Sequence, residues 1–193
     1  GKGTFNRALR AARLLDRFGV EYNVLTVVTA RTARSIRRVY RFFMKNGLVY
    51  QQYIPCLDPL GEPRGLHPWS LTPEAYGEFL IRLFDEWYAD RRAGRFVYIR
   101  YFENLAALML GRPPESCGML GHCGPQLVVE ADGSAYPCDF YMLDDYRLGN
   151  FNTDGLPGME ARREEVGFLK ESFLGLERCR ACRWARLCRG GCR

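Results

Sequence analysis

Residues 179–193 read CRACRWARLCRGGCR. Four cysteines, Cys179, Cys182, Cys188 and Cys192, are spaced C-x2-C-x5-C-x3-C, with arginines between them. A C-x2-C pair lets two sulfurs reach one metal centre while backbone amides turn toward them, and gaps of three to five residues bring further ligands back. Upstream stand Cys117, Cys123 and Cys138, the last two framing a C-x9-G-x4-C whose glycine is Gly133. Seven of the eight cysteines therefore fall between 117 and 192, and Cys56 stands apart as a bystander.

Eight cysteines could make four disulfides, but that framework belongs to small secreted domains. The opening GKGTFNRALRAARLLDRFG is too basic and too interrupted for a signal peptide, and no apolar run reaches the ~18 residues of a membrane span. A cytoplasmic protein that binds metal is the expectation. The spacing leaves two chemistries open. Zinc ribbons usually show two C-x2-C knuckles, where this chain has one, although His122 could complete a zinc set. A four-iron cluster on four thiolates carries net negative charge. Arg178, Arg180, Arg183, Arg186, Arg189 and Arg193 would offset that charge and favour thiolates. Spacing favours iron–sulfur over zinc.

North of the cysteines the chain has a different texture. With 47% apolar and 13% aromatic residues it can pack a core. Phe5, Leu9, Ala12, Leu15 and Phe18 recur at helical spacing before Gly19, and VEYNVLTVV (20–28) reads as a buried strand. Ile36, Val39, Tyr40 and Phe43 mark a second helix ended by Gly47, followed by the strand LVYQQYI (48–54). Alternating helices and strands with short connections predict a parallel α/β architecture. The five-proline stretch from Pro55 predicts a loop at the carboxyl edge of that strand. Thr72 and Pro73 then open a helix through about Tyr88, with Phe79, Leu80, Leu83, Phe84 and Trp87 as its apolar face. RFVYIRYF (95–102) reads as a third strand, LAALML as a short helix, and GRPPES (111–116) as a domain boundary. Beyond it Asp132-Gly133 predicts a hairpin turn, and a helix is expected within 158–173.

Net charge is +6, and residues 1–50 carry eleven basic against two acidic residues. Those arginines fall mostly between the apolar helix positions, so they read as a solvated outer ring. Nucleic acid is not the expected partner.

The series Cys117, Cys123, C-x9-G-x4-C and C-x2-C-x5-C-x3-C resembles the SPASM domain of radical S-adenosylmethionine enzymes. With CDFYMLDDYRLGN after the hairpin, and NVLTVVT and QQYIPCLDPL upstream, the chain looks like the anaerobic sulfatase-maturating enzymes in particular. The resemblance implies the C-terminal part of a partial (β/α)6 barrel in residues 1–110 and a small α+β SPASM domain with a β-hairpin in 111–193. It implies two auxiliary 4Fe–4S clusters, with Cys117, Cys123, Cys138 and Cys192 on the one nearer the substrate. Cys179, Cys182 and Cys188 would hold the other, whose fourth cysteine would lie past Arg193. The family's C-x3-C-x2-C, which holds its catalytic cluster, is nowhere in the 193 residues, so the chain is expected to be an inactive fragment of an active enzyme.

That enzyme would use S-adenosylmethionine to oxidise a Cys or Ser of a sulfatase polypeptide to Cα-formylglycine, drawing electrons from a donor such as flavodoxin or ferredoxin. Asp139 matches the family's base. Val27 and Leu57 match places where its backbone meets the cofactor's adenosine. Tyr136, Phe140, Tyr141 and Trp184 would pack around the clusters, while His67 and His122 read as loop histidines. Rival readings are another SPASM peptide modifier, such as a thioether-forming one, and a zinc-ribbon nucleic-acid module.

Overall fold

The computed structural model of the protein describes residues 3–172, 179 and 181–192. The chain divides into two compact units after Glu103, where the sequence suggests a boundary at 111. None of the helices among the described residues is long and apolar enough to cross a membrane.

The first unit is an α/β layer. Helix α1 (Thr4–Arg17) leads to strand β1 (Val24–Val28), α2 (Ala30–Arg34), α3 (Ile36–Lys45), β2 (Tyr50–Pro55), α4 (Pro73–Arg92) and the short β3 (Tyr98–Ile99). The strands pair in parallel in the order β1-β2-β3, with Val27 beside Ile54 and Gln51 beside Ile99. Helices start where side chains can cap them: Thr29 accepts from the Thr32 amide, and Thr72 accepts from the Ala75 amide ahead of Pro73. The core gathers Val28, Ile36, Tyr40, Phe79, Leu83, Val97 and Ile99, all nearly solvent-free. At about 1.5–3 kcal/mol for each large apolar side chain buried, this seam is what holds α3 and α4 to the sheet. Polar groups inside it are matched: Tyr40 Oη donates to Asp90 at 2.9 Å, and Tyr53 Oη to buried Gln51 at 2.7 Å.

Three expectations need correction here. Strand β3 is two residues long, because helix α5 (Arg100–Met109) takes over from Arg100 where RFVYIRYF suggests continued strand. Its Phe102 packs, tilted, against Trp87 of α4 instead of facing across a sheet. Helix α4 runs four residues past Tyr88, and its Phe84 is 43% exposed. Residues 20–28, expected as a buried strand, pair only over Val24–Val28, and Leu25 and Val27 are 55% and 49% exposed. The arginines do form an outer ring: Arg37 and Arg41 pair with Glu86, and Arg82 with Glu78.

The loop after β2 is organised by one carboxylate. Asp58 accepts hydrogen bonds from Ser70 Oγ and from the Gly65 amide. His67, read from sequence as a plain loop residue, pairs with Glu62 at 2.8 Å and stacks on Trp69 at 4.3 Å. The Ser70 and Gly65 hydrogen bonds hold the Asp58 carboxyl below its ordinary range. A lowered folded-state pKa stabilises above the unfolded value of ~3.9 and is lost as pH falls through the folded one. Limited proteolysis of residues 56–72 is expected to accelerate on acidification below about pH 4, and Asp58→Asn is expected to show the faster cleavage already at neutral pH.

In the second unit, β4 (Val128–Val129), β5 (Ser134–Tyr136) and β6 (Gly149–Asn150) form an antiparallel sheet in that order. Its third strand has no counterpart in the sequence reading, being only two residues long. Helix α6 (Leu156–Glu165) covers it, burying Met159 against Ala135 and Leu148, and α7 (Phe168–Ser172) follows; residue 173 of the expected helix lies outside the described residues. Gly133 holds the hairpin turn at φ +86°, where an added Cβ would overlap Asn152 Nδ2 and lie 2.8 Å from Asn150 Oδ1. Gly133→Ala is expected to cost about 1–3 kcal/mol, read as a lowered melting temperature.

Candidate metal centre

The seven cysteines come from three places in the second unit. Cys117 opens a 3-10 turn (Cys117–Met119) and is exposed. Half-buried Cys123 is fixed through its amide, which donates to Ser172 Oγ in α7 at 3.0 Å. Cys138 is buried at 8% exposure, two residues past β5. Cys179 is half-buried, and the Cys182 amide donates to its carbonyl at 3.2 Å. Cys188 closes a short helix, α8 (Ala185–Cys188). Arg189 follows at φ 51°, the one non-glycine residue with positive φ among those described, and Gly190 and Gly191 continue left-handed at 91° and 77°. This run reverses the chain and returns Cys192 toward the Cys117 turn.

Glycine permits that return. A Cβ on Gly118 would stand 3.7 Å from the Cys192 Cβ. Gly121, at φ +88°, lies closer still: its Cβ would meet Arg189 Cβ at 3.1 Å and Arg189 carbonyl oxygen at 3.2 Å. The Cys117–Cys123 loop therefore rests directly on the Arg189–Cys192 turn. Cys138 feels the Cys192 turn electrostatically. Burial chiefly pushes its thiol up to about 11, with the Asp139 hydrogen bond and the charges of Asp139 and Cys192 adding, against a backbone hydrogen bond from Phe140. Cys192 is thus within electrostatic reach of Cys138 as well as of the Cys117 loop.

All eight cysteines are among the described residues, and none is joined to another in a disulfide. Among the described residues no three of His, Cys, Asp or Glu converge tightly enough to chelate a single ion. Soft thiolates without histidine or carboxylate are the donor set that iron–sulfur clusters take, so the residues present fit such a group. Of the six arginines around the tetrad, Arg178, Arg180 and Arg193 lie outside the described residues, while Arg183, Arg186 and Arg189 are exposed.

Asp139 is exposed, and its Oδ1 accepts from the Cys138 thiol at 3.4 Å. Val27 and Leu57 belong to the other unit. They sit at the carboxyl edge of neighbouring strands, 49% and 58% exposed, Val27 within β1 and Leu57 two residues beyond β2. Bystander Cys56 is half-buried, its amide donating to the Val28 carbonyl at 3.0 Å. Of the four aromatics expected to pack around the clusters, Tyr136 is buried and Tyr141 packs edge-on to Tyr146 and Phe168. Phe140 and Trp184 are 43% and 55% exposed, and Arg183 lies over the Trp184 ring at 4.5 Å. Both sit where the chain turns away from the core. Sequence reasoning missed Gly121 and Ser172; the glycines at 118 and 121, between two cysteines, were the available signal.

Comparison with known proteins agrees with this geometry. Residues 122–183 match the SPASM model, an iron–sulfur cluster-binding domain. The cysteine-type anaerobic sulfatase-maturating enzyme of Clostridium novyi (strain NT) is 45% identical over 192 residues, and that of Clostridium perfringens (strain 13 / Type A) 46% over 193. The chain is homologous to the anaerobic sulfatase-maturating enzymes. Both matches take in the whole chain but only 51% and 52% of those sulfatase-maturating relatives, so it spans about half their length. The serine-type enzyme of Bacteroides thetaiotaomicron is 30% identical over 208 residues and is half covered. Among solved structures, native anSMEcpe with bound AdoMet superposes with a TM-score of 0.91 at 46% identity, over 98% of this chain and 52% of that one. Native anSMEcpe with bound AdoMet and Kp18Cys peptide gives 0.90, again over 98% and 52%. The parallel α/β unit and the cysteine-rich unit are the fold of the C-terminal part of these sulfatase-maturating enzymes.

Because a Cβ on Gly121 would press on the Arg189 Cβ and carbonyl oxygen from a strained left-handed backbone, Gly121→Ala is expected to part the Cys117–Cys123 loop from the Arg189 turn. Anaerobically reconstituted protein should then bind at least severalfold less iron than wild type, while Gly124→Ala, with nothing within 4 Å, should bind as much.

Proposed function

We propose that this chain supplies the auxiliary-cluster half of a radical S-adenosylmethionine enzyme that oxidises a Cys or Ser of a sulfatase polypeptide to Cα-formylglycine. Residues 1–110 would serve as the C-terminal portion of the partial barrel and 111–193 as the SPASM domain. Cys117, Cys123, Cys138 and Cys192 would hold one 4Fe–4S cluster, and Cys179, Cys182 and Cys188 would contribute to a second. The contact of the Cys117–Cys123 loop with the Arg189–Cys192 turn carries the reading, together with homology along the whole chain.

The reaction removes a hydrogen atom from the target Cβ, then a proton and an electron, leaving an aldehyde from serine, or from cysteine a thioaldehyde that water hydrolyses to the aldehyde with release of hydrogen sulfide. Clusters bound at these thiolates supply the one-electron acceptor. The chain's own task is the proton. Asp139 follows directly on Cys138, so its backbone is fixed by a ligand, and its exposed carboxylate is open to a substrate. Its present hydrogen bond from the Cys138 thiol ends when that thiol gives up its proton to ligation, freeing both carboxylate oxygens to accept one. Val27 and Leu57, at the carboxyl edge of the parallel sheet, are where an α/β fold receives a ligand. In this reading they meet the adenosine of the cofactor. A flavodoxin or ferredoxin would supply electrons to the complete enzyme in the cytoplasm.

Anaerobic purification with iron and sulfide analysis tests the metal: about four irons or more per chain with matching sulfide are expected. Colourless protein retaining zinc would replace this reading with a zinc ribbon. In the complete enzyme, Asp139→Asn is expected to abolish formylglycine in a sulfatase peptide while 5′-deoxyadenosine still forms, both followed by mass spectrometry. A thioether product on a different peptide would point to another SPASM modifier.

A further inference from the structure

Arg163 is the largest fully enclosed side chain among the described residues, at 1% exposure. It stands one turn after Met159 on the inward face of α6. One guanidinium nitrogen, Nη1, donates to the Gln126 carbonyl at 2.9 Å, and Nη2 donates to Glu160 at 3.1 Å. The third, Nε, is buried with no hydrogen-bond partner among the described residues. Its single counter-ion is half in solvent, Glu160 being 53% exposed.

A buried cation with an idle donor and a screened partner is costly unless something nearby wants positive charge. A leucine or methionine would fill the α6 face more cheaply, since that face otherwise packs Met159 on Ala135 and Leu148. What lies nearby is the Cys123 segment. Gln126, which Arg163 grips, is three residues past Cys123, no more than about 11 Å of chain. The other end of that segment is tied to α7 through Ser172. A four-iron cluster on four thiolates gains a further negative charge when reduced, and a fixed buried cation stabilises that form more than the oxidised one.

We propose that Arg163 raises the reduction potential of the cluster held by Cys117, Cys123, Cys138 and Cys192, so that it takes up an electron more readily. This inference rests on those four cysteines binding a cluster. The guanidinium acts through its charge and ligates nothing. Glu160 works against it, so the two residues set the potential in opposite senses.

The test is a redox titration followed by electron paramagnetic resonance, on protein reconstituted anaerobically with iron and sulfide. A Cys182→Ala background removes a ligand of the other set. Arg163→Met is expected to lower the potential by about 59 mV, a tenfold weaker uptake of one electron. Arg163→Lys keeps the charge and should stay near wild type. Glu160→Gln, on the surface and harmless to folding, should move the potential upward by a smaller amount. Equal downward shifts in the Met and Lys variants would show that Arg163 only braces the Gln126 carbonyl, and an unmoved potential in Glu160→Gln would also overturn the proposal. Should Arg163→Met fail to fold, the Lys and Gln variants still decide it. Wild-type protein that binds no four-iron cluster would overturn the metal reading as well, an outcome distinct from a cluster whose potential ignores both residues.

Discussion

The second unit depends on one close approach, Gly121 against the backbone of Arg189. Thiols dispersed from 117 to 192 can share a ligand only if loops without regular structure are held at fixed distances. Hydrogen-bonded sheet does little of that work here, since its three strands are two or three residues long. Contact between two turns does it instead. One is made compact by glycines at 118 and 121, the other folded back by three successive left-handed residues. A left-handed arginine is strained where a glycine is not, and its carbonyl is the atom that Gly121 approaches. Cys138 joins from the hairpin, whose own turn needs glycine at 133.

The remaining parts brace that contact. Helix α7 holds the Cys123 amide, α6 holds the Gln126 carbonyl, and the sheet under α6 fixes where Cys138 emerges. Helices of such modest length are marginal on their own and are stable here because each buries one face, Met159 in α6 and Phe168 in α7. Packing therefore serves as positioning: the apolar cluster sets the backbone around Cys123 and Cys138, and the Cys138 backbone sets Asp139.

Much of this was legible in the residues. Cysteine spacing marked the second unit as metal-binding because covalent geometry limits which gaps can return a sulfur to one centre, in line with the iron–sulfur domain matched over 122–183. Thr72-Pro73 and Asp132-Gly133 marked a helix start and a turn because capping and φ > 0 are local requirements. RFVYIRYF misled for a tertiary reason. Its β-branched and aromatic residues suit a strand, yet only Tyr98 and Ile99 pair with β2, and the rings that follow pack better on a helix against Trp87. The exposure of Phe140 and Trp184 was equally hidden, since an aromatic beside a cysteine reads the same whether it faces in or out. Arg163 was hidden altogether: one arginine in ARREE looks like solvent-facing charge, and only the third dimension shows it enclosed.

Among the described residues strand β1 has a paired neighbour, β2, on one side, and Leu25 and Val27 on it are 55% and 49% exposed. A sheet margin with apolar side chains invites another backbone to join it. When these 193 residues are prepared by themselves, Arg7, Arg10, Arg13 and Arg17, spaced along α1, bring like charge to any second copy. Handling of the purified chain should accordingly be sensitive to ionic strength, with salt that hides those guanidinium groups hastening precipitation.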